Sequence, residues 1–266
     1  AQETTPPPKV LSVIREFVKP GKSGAIHEKA ESAFVQAMAR AKWPSHYLAV
    51  SSMSGKPRVL FFTGYDSFEA WEKDVTAEQN NATLAAAIDR ASVADGELLS
   101  DYDASALVYS DEYSLRSAVD IAHMRYFEIS LYRVRPGHDA DWDTIVKMVK
   151  AAYEKIPAAH WATYHAQYGQ EGNTYVVFTQ IKSAAEIDQG FAESKQFMAN
   201  MGEDGMKKFS ELLAGAIEYS QHNLFSFTPS MSYVSDEWIK ADPDFWKPKA
   251  STAAPKKAAE KPAASQ

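Results

Sequence analysis

The residues whose types and spacing could support chemistry concentrate in the second half of this 266-residue chain. In RYFEISLYRVRPG, Arg125 to Gly137, strand alternation puts Phe127, Ile129 and Leu131 on one face and Tyr126, Glu128, Ser130 and Tyr132 on the other. The apolar set is expected to meet the helices, and the polar-aromatic set to line a space that holds a small ligand. A carboxylate in such a cavity resists ionisation and can take a proton as a general base, which singles out Glu128. The same group could instead bond an arginine or tyrosine and set register. The stretch HWATYHAQY puts His160, Tyr164 and Tyr168 on one face and Trp161 and His165 on the other. His46 and Tyr47 hold the corresponding place in the first half, where a histidine could shuttle a proton or cap a strand end. Glu128, His160 and Tyr164 are therefore the acid–base candidates. Tyr126, Ser130, Tyr132, Tyr168 and His46 are the ligand-binding candidates.

Other chemistries find less support. His160 and His165 are five apart and point to opposite faces, so no metal site is expected. There is no P-loop, Rossmann glycine fingerprint, GxSxG elbow or HExxH motif, which disfavours nucleotide transfer and standard hydrolysis. The stretch FMANMGEDGM, Phe197 to Met206, reads as a helix joint broken at Gly202 and Gly205, or as a flexible surface facing a ligand or partner.

These residues need elements to position them, and the elements come in duplicate. Val18-Lys19-Pro20-Gly21 recurs as Val134-Arg135-Pro136-Gly137, an offset of 116 residues (136 − 20). In each copy a strand stops at Pro-Gly and hands over to a helix. The first helix reaches about Ala41 and carries Ile26, Ala30, Ala33, Phe34, Ala37, Met38 and Ala41 at helical spacing. Its counterpart, Ala140 to Ile156, carries Trp142, Ile145, Val149, Tyr153 and Ile156. Hairpins follow around Gly55 and Gly169, then helices opened by Asp66 with Glu69 and by Ser183 with Glu186, then closing strands Ala104–Tyr109 and Leu224–Phe227. Each half is thus predicted to be β-α-β-β-α-β, the ferredoxin-like arrangement. Two such sheets, each covered by helices on one face only, are expected to pack sheet to sheet as an intramolecular α+β barrel.

The expected domains are an extended lead-in over 1–8, ferredoxin-like units over 9–115 and 122–235, and a C-terminal extension over 236–266. From about residue 248 that extension is an Ala/Lys/Pro tail that cannot build a core. Trp238, Phe245 and Trp246 are expected to pack back onto the body. A net charge of −7 argues against nucleic-acid partners, and no apolar run is long enough for membrane insertion. The start Ala1-Gln2-Glu3 and the absence of cysteine suggest an exported chain, periplasmic or extracellular, with a trimmed cytosolic protein as the alternative.

YFEISLYRVRPGHDADW resembles the opening strand and helix of the NIPSNAP family, with Glu128, Tyr132, Arg135, Pro136 and Gly137 in the typical positions and Ser12 standing where the first half would carry the glutamate. With the duplicated topology, the resemblance implies the dimeric α+β barrel superfamily. That superfamily also contains cofactor-free monooxygenases, haem-degrading enzymes, muconolactone isomerase-like enzymes and tandem-domain chlorite dismutases, and a shared fold does not carry function across. The expected function is binding of a small apolar or aromatic molecule between the sheets. The alternatives are a cofactor-independent monooxygenase or isomerase, and a self-assembling envelope protein, possible as a homo-oligomer. No cofactor is expected, with haem on His160, His165 or His222 a minority possibility implied by the chlorite dismutases.

Overall fold

A computed structural model describes residues 4–247. The first half runs β1 (Val10–Val18), α1 (Ala25–Ala41), β2 (Tyr47–Ser52), β3 (Arg58–Tyr65), α2 (Phe68–Asn80), α3 (Ala82–Gly96) and β4 (Leu99–Leu115). The second half repeats the order as β5 (Tyr126–Val134), α4 (Asp139–Tyr153), β6 (Trp161–Tyr168), β7 (Asn173–Ile181), α5 (Ala184–Met201), α6 (Glu203–Ala216) and β8 (Ile217–Phe227). Two short helices follow, α7 (Asp236–Ala241) and α8 (Pro243–Trp246). The tail expected from residue 248 lies outside the described residues.

Local chemistry explains most boundaries. Gly21 and Gly137 sit at φ of 78° and 84°, so each Pro-Gly pair ends its strand in a backbone state that a side chain would strain. Ser67 caps α2 by accepting from the Ala70 amide at 3.1 Å, one residue after the Asp66 that the capping pattern suggests. Asn81 separates α2 from α3, its side chain accepting from the Leu84 amide. Gly202 alone breaks the methionine-rich segment, at φ 73°, whereas Gly205 lies inside α6.

The eight strands form one closed barrel in the order β1-β3-β2-β8-β5-β7-β6-β4. Within each half the first strand lies between the third and the fourth. The halves do not stack as two separate sheets, as expected from sequence. They join edge to edge, β2 with β8 and β4 with β6, all antiparallel. Barrel closure leaves these strands no free edge for further association. The hairpin glycines that align in the repeat sit at these two seams. A Cβ on Gly55 would lie 2.7 Å from the side-chain oxygen of Asn223 in β8, and one on Gly169 would lie 2.0 Å from the Ala104 carbonyl oxygen in β4.

Closure also decides which face is inside. Leu11, Val13, Leu48, Val50, Leu60, Phe62 and Leu107 meet Phe127, Ile129, Val176, Phe178 and Phe225 in a single core that spans both halves. Phe127 and Ile129 therefore point into the barrel, and Leu131 follows them to line its far end. Tyr132 packs outward with Trp142 of α4. This reverses the expected assignment: Tyr126, Glu128, Ser130 and Tyr132 form the outer face. The enclosed side of the barrel is the side shielded from bulk solvent, so from β5 it takes the strictly apolar set. Edge-to-face contacts among Phe62, Phe127 and Phe178, with centroids 5.5 to 5.9 Å apart, fill the middle.

Gly169→Ala is expected to cost about 3–5 kcal/mol, because strain at positive φ adds to a collision with backbone at the seam. Gly137→Ala, at positive φ with nothing within 4 Å of its Cβ, should cost only about 1–2 kcal/mol. Urea titration of both variants checks the difference; equal losses would mean that the seam contact does not matter.

Candidate functional site

One end of the barrel opens into a cavity of about 490 Å³. Its walls come from the interior face of the strands near that end: Leu11, Leu48, Phe62, Phe127, Ala162, Tyr164, Phe178 and Gln180. A smaller void of about 70 Å³ lies at the other end, beyond the shared rings of Phe62 and Phe178. The mouth is crossed by chain from both termini. Thr5 to Pro8 strap over it, anchored by the Thr5 amide on the Val119 carbonyl at 2.9 Å and by the Pro8 carbonyl, which accepts the Tyr164 hydroxyl at 3.1 Å. The Pro8 ring presses on Gly64, where a Cβ would come within 2.8 Å. From the other side come Val234, Ser235 and Trp238. They are held by Trp246, which donates to the Ala122 carbonyl, and by Arg125, which pairs with Asp242 and lies over the Phe245 ring.

Few polar groups face this cavity. Burial holds Tyr164 neutral by pushing its hydroxyl well above the usual phenol range. Gln180 is buried, and its side-chain oxygen has no hydrogen-bond partner among the described residues. His46 stands at the rim with its ring 4.8 Å from that of Tyr233.

Of the candidates from sequence, His46 and Tyr164 line the cavity and the others do not. Glu128 is exposed on the outer face, so it cannot act as a desolvated base there. Ser130 bonds His222 at 2.8 Å, Tyr132 packs under α4, and Tyr126 shares their face. Tyr168 is 68% exposed, against Phe68. His160 precedes β6 with both ring nitrogens 2.8 Å from carbonyl oxygens, those of Ala158 and Gln180, and thus fastens a strand end. Glu128, His160 and Tyr164 are not brought together. Gln180 went unread and Trp238 was expected only to pack back onto the body, because only the long-range fold turns them toward a common space.

A histidine-held haem needs a free imidazole nitrogen beside an open slot. His160 is committed as described and His165 bonds Asn173 and Gln167 and stacks on Tyr175, while His222 bonds Ser130 through Nδ1 alone and has its ring against Tyr132, with no slot beside it. Tyr132, Trp142, Ile145 and Tyr175 fill the space between sheet and helices of that half. These residues do not fit haem.

The sequence pointed to no metal ligands, yet the first half assembles a buried cluster of ionisable side chains. Glu16 of β1, His27 and Glu31 of α1 and Asp95 of α3 are all buried, with ligand atoms within 4.8 Å of one another. His27 Nε2 lies 3.2 Å from Glu16, 3.3 Å from Asp95 and 3.9 Å from Glu31. Burial disfavours a charged His27, but hydrogen bonding to Asp95 and Glu16 outweighs it and lifts the imidazole to about 10. Burial and the charges of Glu16 and Asp95 raise Glu31 to about 9, and burial also raises Glu16. The sequence signal for this group was the i,i+4 pair His27 and Glu31 together with Glu16, a carboxylate on the β1 face that also carries Val10, Ile14 and Val18.

No family model matches the sequence, and no curated protein does. Solved structures do match the fold. A candidate monooxygenase from Fusobacterium nucleatum superposes with a TM-score of 0.52 at 11% identity, over 83% of this chain and 93% of that one. An anthrone oxidase-like protein superposes at 0.50 with 14% identity, over 85% and 94%. The fold is that of the dimeric α+β barrels, closed here within one chain.

Both shifts in the buried group act on stability with the same sign. Folded Glu31 keeps a proton up to about pH 9 that a free glutamate loses near 4.5, and folded His27 keeps one to about 10 that a free histidine loses near 6.5. Their stabilisation is complete below those lower values and is lost as pH rises through the upper ones. In metal-free buffer the Tm should therefore fall from pH 5 to pH 9. Glu31→Gln, which mimics the protonated acid, should flatten the fall and melt about 2–4 °C above the unsubstituted protein at pH 9. Melts at both pH values test this; an unchanged slope would contradict it.

Proposed function

We propose that the protein binds a flat apolar or aromatic molecule at the mouth of its barrel. The carrying observation is a largely apolar cavity of about 490 Å³ walled in part by Gln180, whose buried side-chain oxygen has no hydrogen-bond partner among the described residues. That volume falls in the roughly 300–1,000 Å³ range of small-molecule sites. A ligand with a hydroxyl or N–H group would supply the missing donor while its ring meets Phe62, Phe127 and Phe178. The strap from Thr5 to Pro8 and the α7 segment then form the rim over which the ligand passes.

A cofactor-independent, monooxygenase- or isomerase-like reaction is the second reading. It is favoured by the fold shared with a candidate monooxygenase and an anthrone oxidase-like protein, and by His46 and Tyr164, which both line the cavity. On an anthrone-type ring, dioxygen would oxidise a CH2 group to a carbonyl, one oxygen atom entering the product and the other leaving as water. We also assign the halves as tandem ferredoxin-like units, and take the Glu128 to Gly137 motif to support a NIPSNAP-like affiliation. The cysteine-free composition favours a place outside the cytosol.

Titration with 2-naphthol or anthrone, followed by tryptophan fluorescence, should show saturable binding of about one molecule per chain. Val119→Trp, which narrows the rim, should weaken it about tenfold with Tm unchanged. Absence of saturable binding would remove the proposal. An oxygen electrode with anthrone separates the second reading from the first: uptake of one dioxygen per anthrone, reduced in His46→Gln, supports catalysis, and no uptake leaves binding alone.

A further inference from the structure

The geometry points to a buried site for one divalent transition-metal ion on Glu16, His27, Glu31 and Asp95, of a kind that accepts mixed oxygen and nitrogen ligands: manganese(II), iron(II) or zinc(II). It lies apart from the barrel cavity, between the sheet of the first half and helices α1 and α3, and is independent of the ligand proposed there.

Four donors converge from three elements, with His27 and Glu31 one turn apart on the same side of α1. Metal–ligand bonds of about 2.0–2.2 Å place adjacent donor atoms roughly 3.0–3.4 Å apart in octahedral or tetrahedral coordination. Nε2 of His27 already lies 3.2 and 3.3 Å from Glu16 and Asp95, and Glu31 at 3.9 Å needs only a small side-chain movement. Imidazole among carboxylates suits these ions better than calcium or magnesium, which favour oxygen ligands and retained water.

Hydrogen bonding by itself leaves the group unsatisfied. Nε2 carries at most one proton, which Glu16 at 3.2 Å and Asp95 at 3.3 Å must share. Glu31 and Asp95 are 3% and 2% exposed, and each has a buried oxygen turned to the cluster without a hydrogen-bond partner among the described residues. The Tyr47 hydroxyl, also unpartnered, is close enough to feel the charges of Glu31 and Glu16. The cluster has more buried carboxylate oxygens than protons to share among them, and a cation that displaces those protons would satisfy them together.

The second half supplies an internal control. Glu16 pairs with Val59 in register, and the residue 116 positions on, Tyr132, pairs with Tyr175. There the equivalent space holds Tyr132, Trp142 and Tyr175 as an aromatic core. The fold thus fills this place with apolar rings in one half, and has no structural need for three carboxylates and a histidine in the other.

The test uses the full chain, stripped with EDTA and then given manganese(II), zinc(II) or, under argon, iron(II), both folded and during refolding. After desalting, metal is counted by inductively coupled plasma mass spectrometry and stability by thermal melting. At least one of the ions should be retained at about one per chain and raise the Tm. Glu31→Gln removes a charge and should fold without metal, but should lose about tenfold or more in affinity; Asp95→Asn should do likewise. His138→Ala, at a half-buried histidine bonded to Asp141 in the other half of the chain, should bind as the unsubstituted protein does. Retention of none of the three ions by either route would overturn the site and leave a cluster joined by shared protons. Undiminished binding by Glu31→Gln would overturn it as well.

Discussion

Pairing of strand edges across the two seams, β2 with β8 and β4 with β6, is the constraint on which the rest of the molecule depends. A four-stranded sheet with helices on one face leaves an apolar face and two edges unsatisfied. Joining two such sheets edge to edge removes both problems, since the inner faces enclose one another and the outermost strands pair. Gly55 and Gly169 matter for this reason: each lets a hairpin approach the opposite half more closely than a side chain would permit.

The interior that closure creates is not uniform. Phe62, Phe127 and Phe178 are large enough to meet across the middle, so the barrel is solid there and hollow toward one end. Chain segments remote in sequence finish the hollow end. The Thr5–Pro8 strap is tied to β6 through Tyr164, and the C-terminal helices are tied to the linker and β5 through Ala122 and Arg125. The cavity is therefore a product of the barrel and both terminal segments together.

The halves share a backbone plan and differ in what lies between sheet and helices. The second half uses aromatic packing and the first a buried set of ionisable groups. Dispersion and water exclusion suffice for the former. The latter must retain protons or acquire a cation to be tolerated, which sets the pH behaviour of the first half and its capacity for ligation.

Much of the fold was legible in local sequence. The Pro-Gly stops, the 116-residue repeat and the alternation of β5 follow from short-range sterics and period-two geometry, and they determined the element order and which residues share a face. They could not determine which face is enclosed, because alternation sorts side chains into two sets and only the neighbouring elements decide which set meets water. Glu128 was misplaced for that reason, while His46 and Tyr164 reach the cavity. Nor could local pattern join Asp95 to His27 and Glu16, which lie far apart along the chain and meet only when α3 packs over α1 and β1. Sequence determined the parts and their periodicity; tertiary closure decided inside from outside and which distant charges share a site.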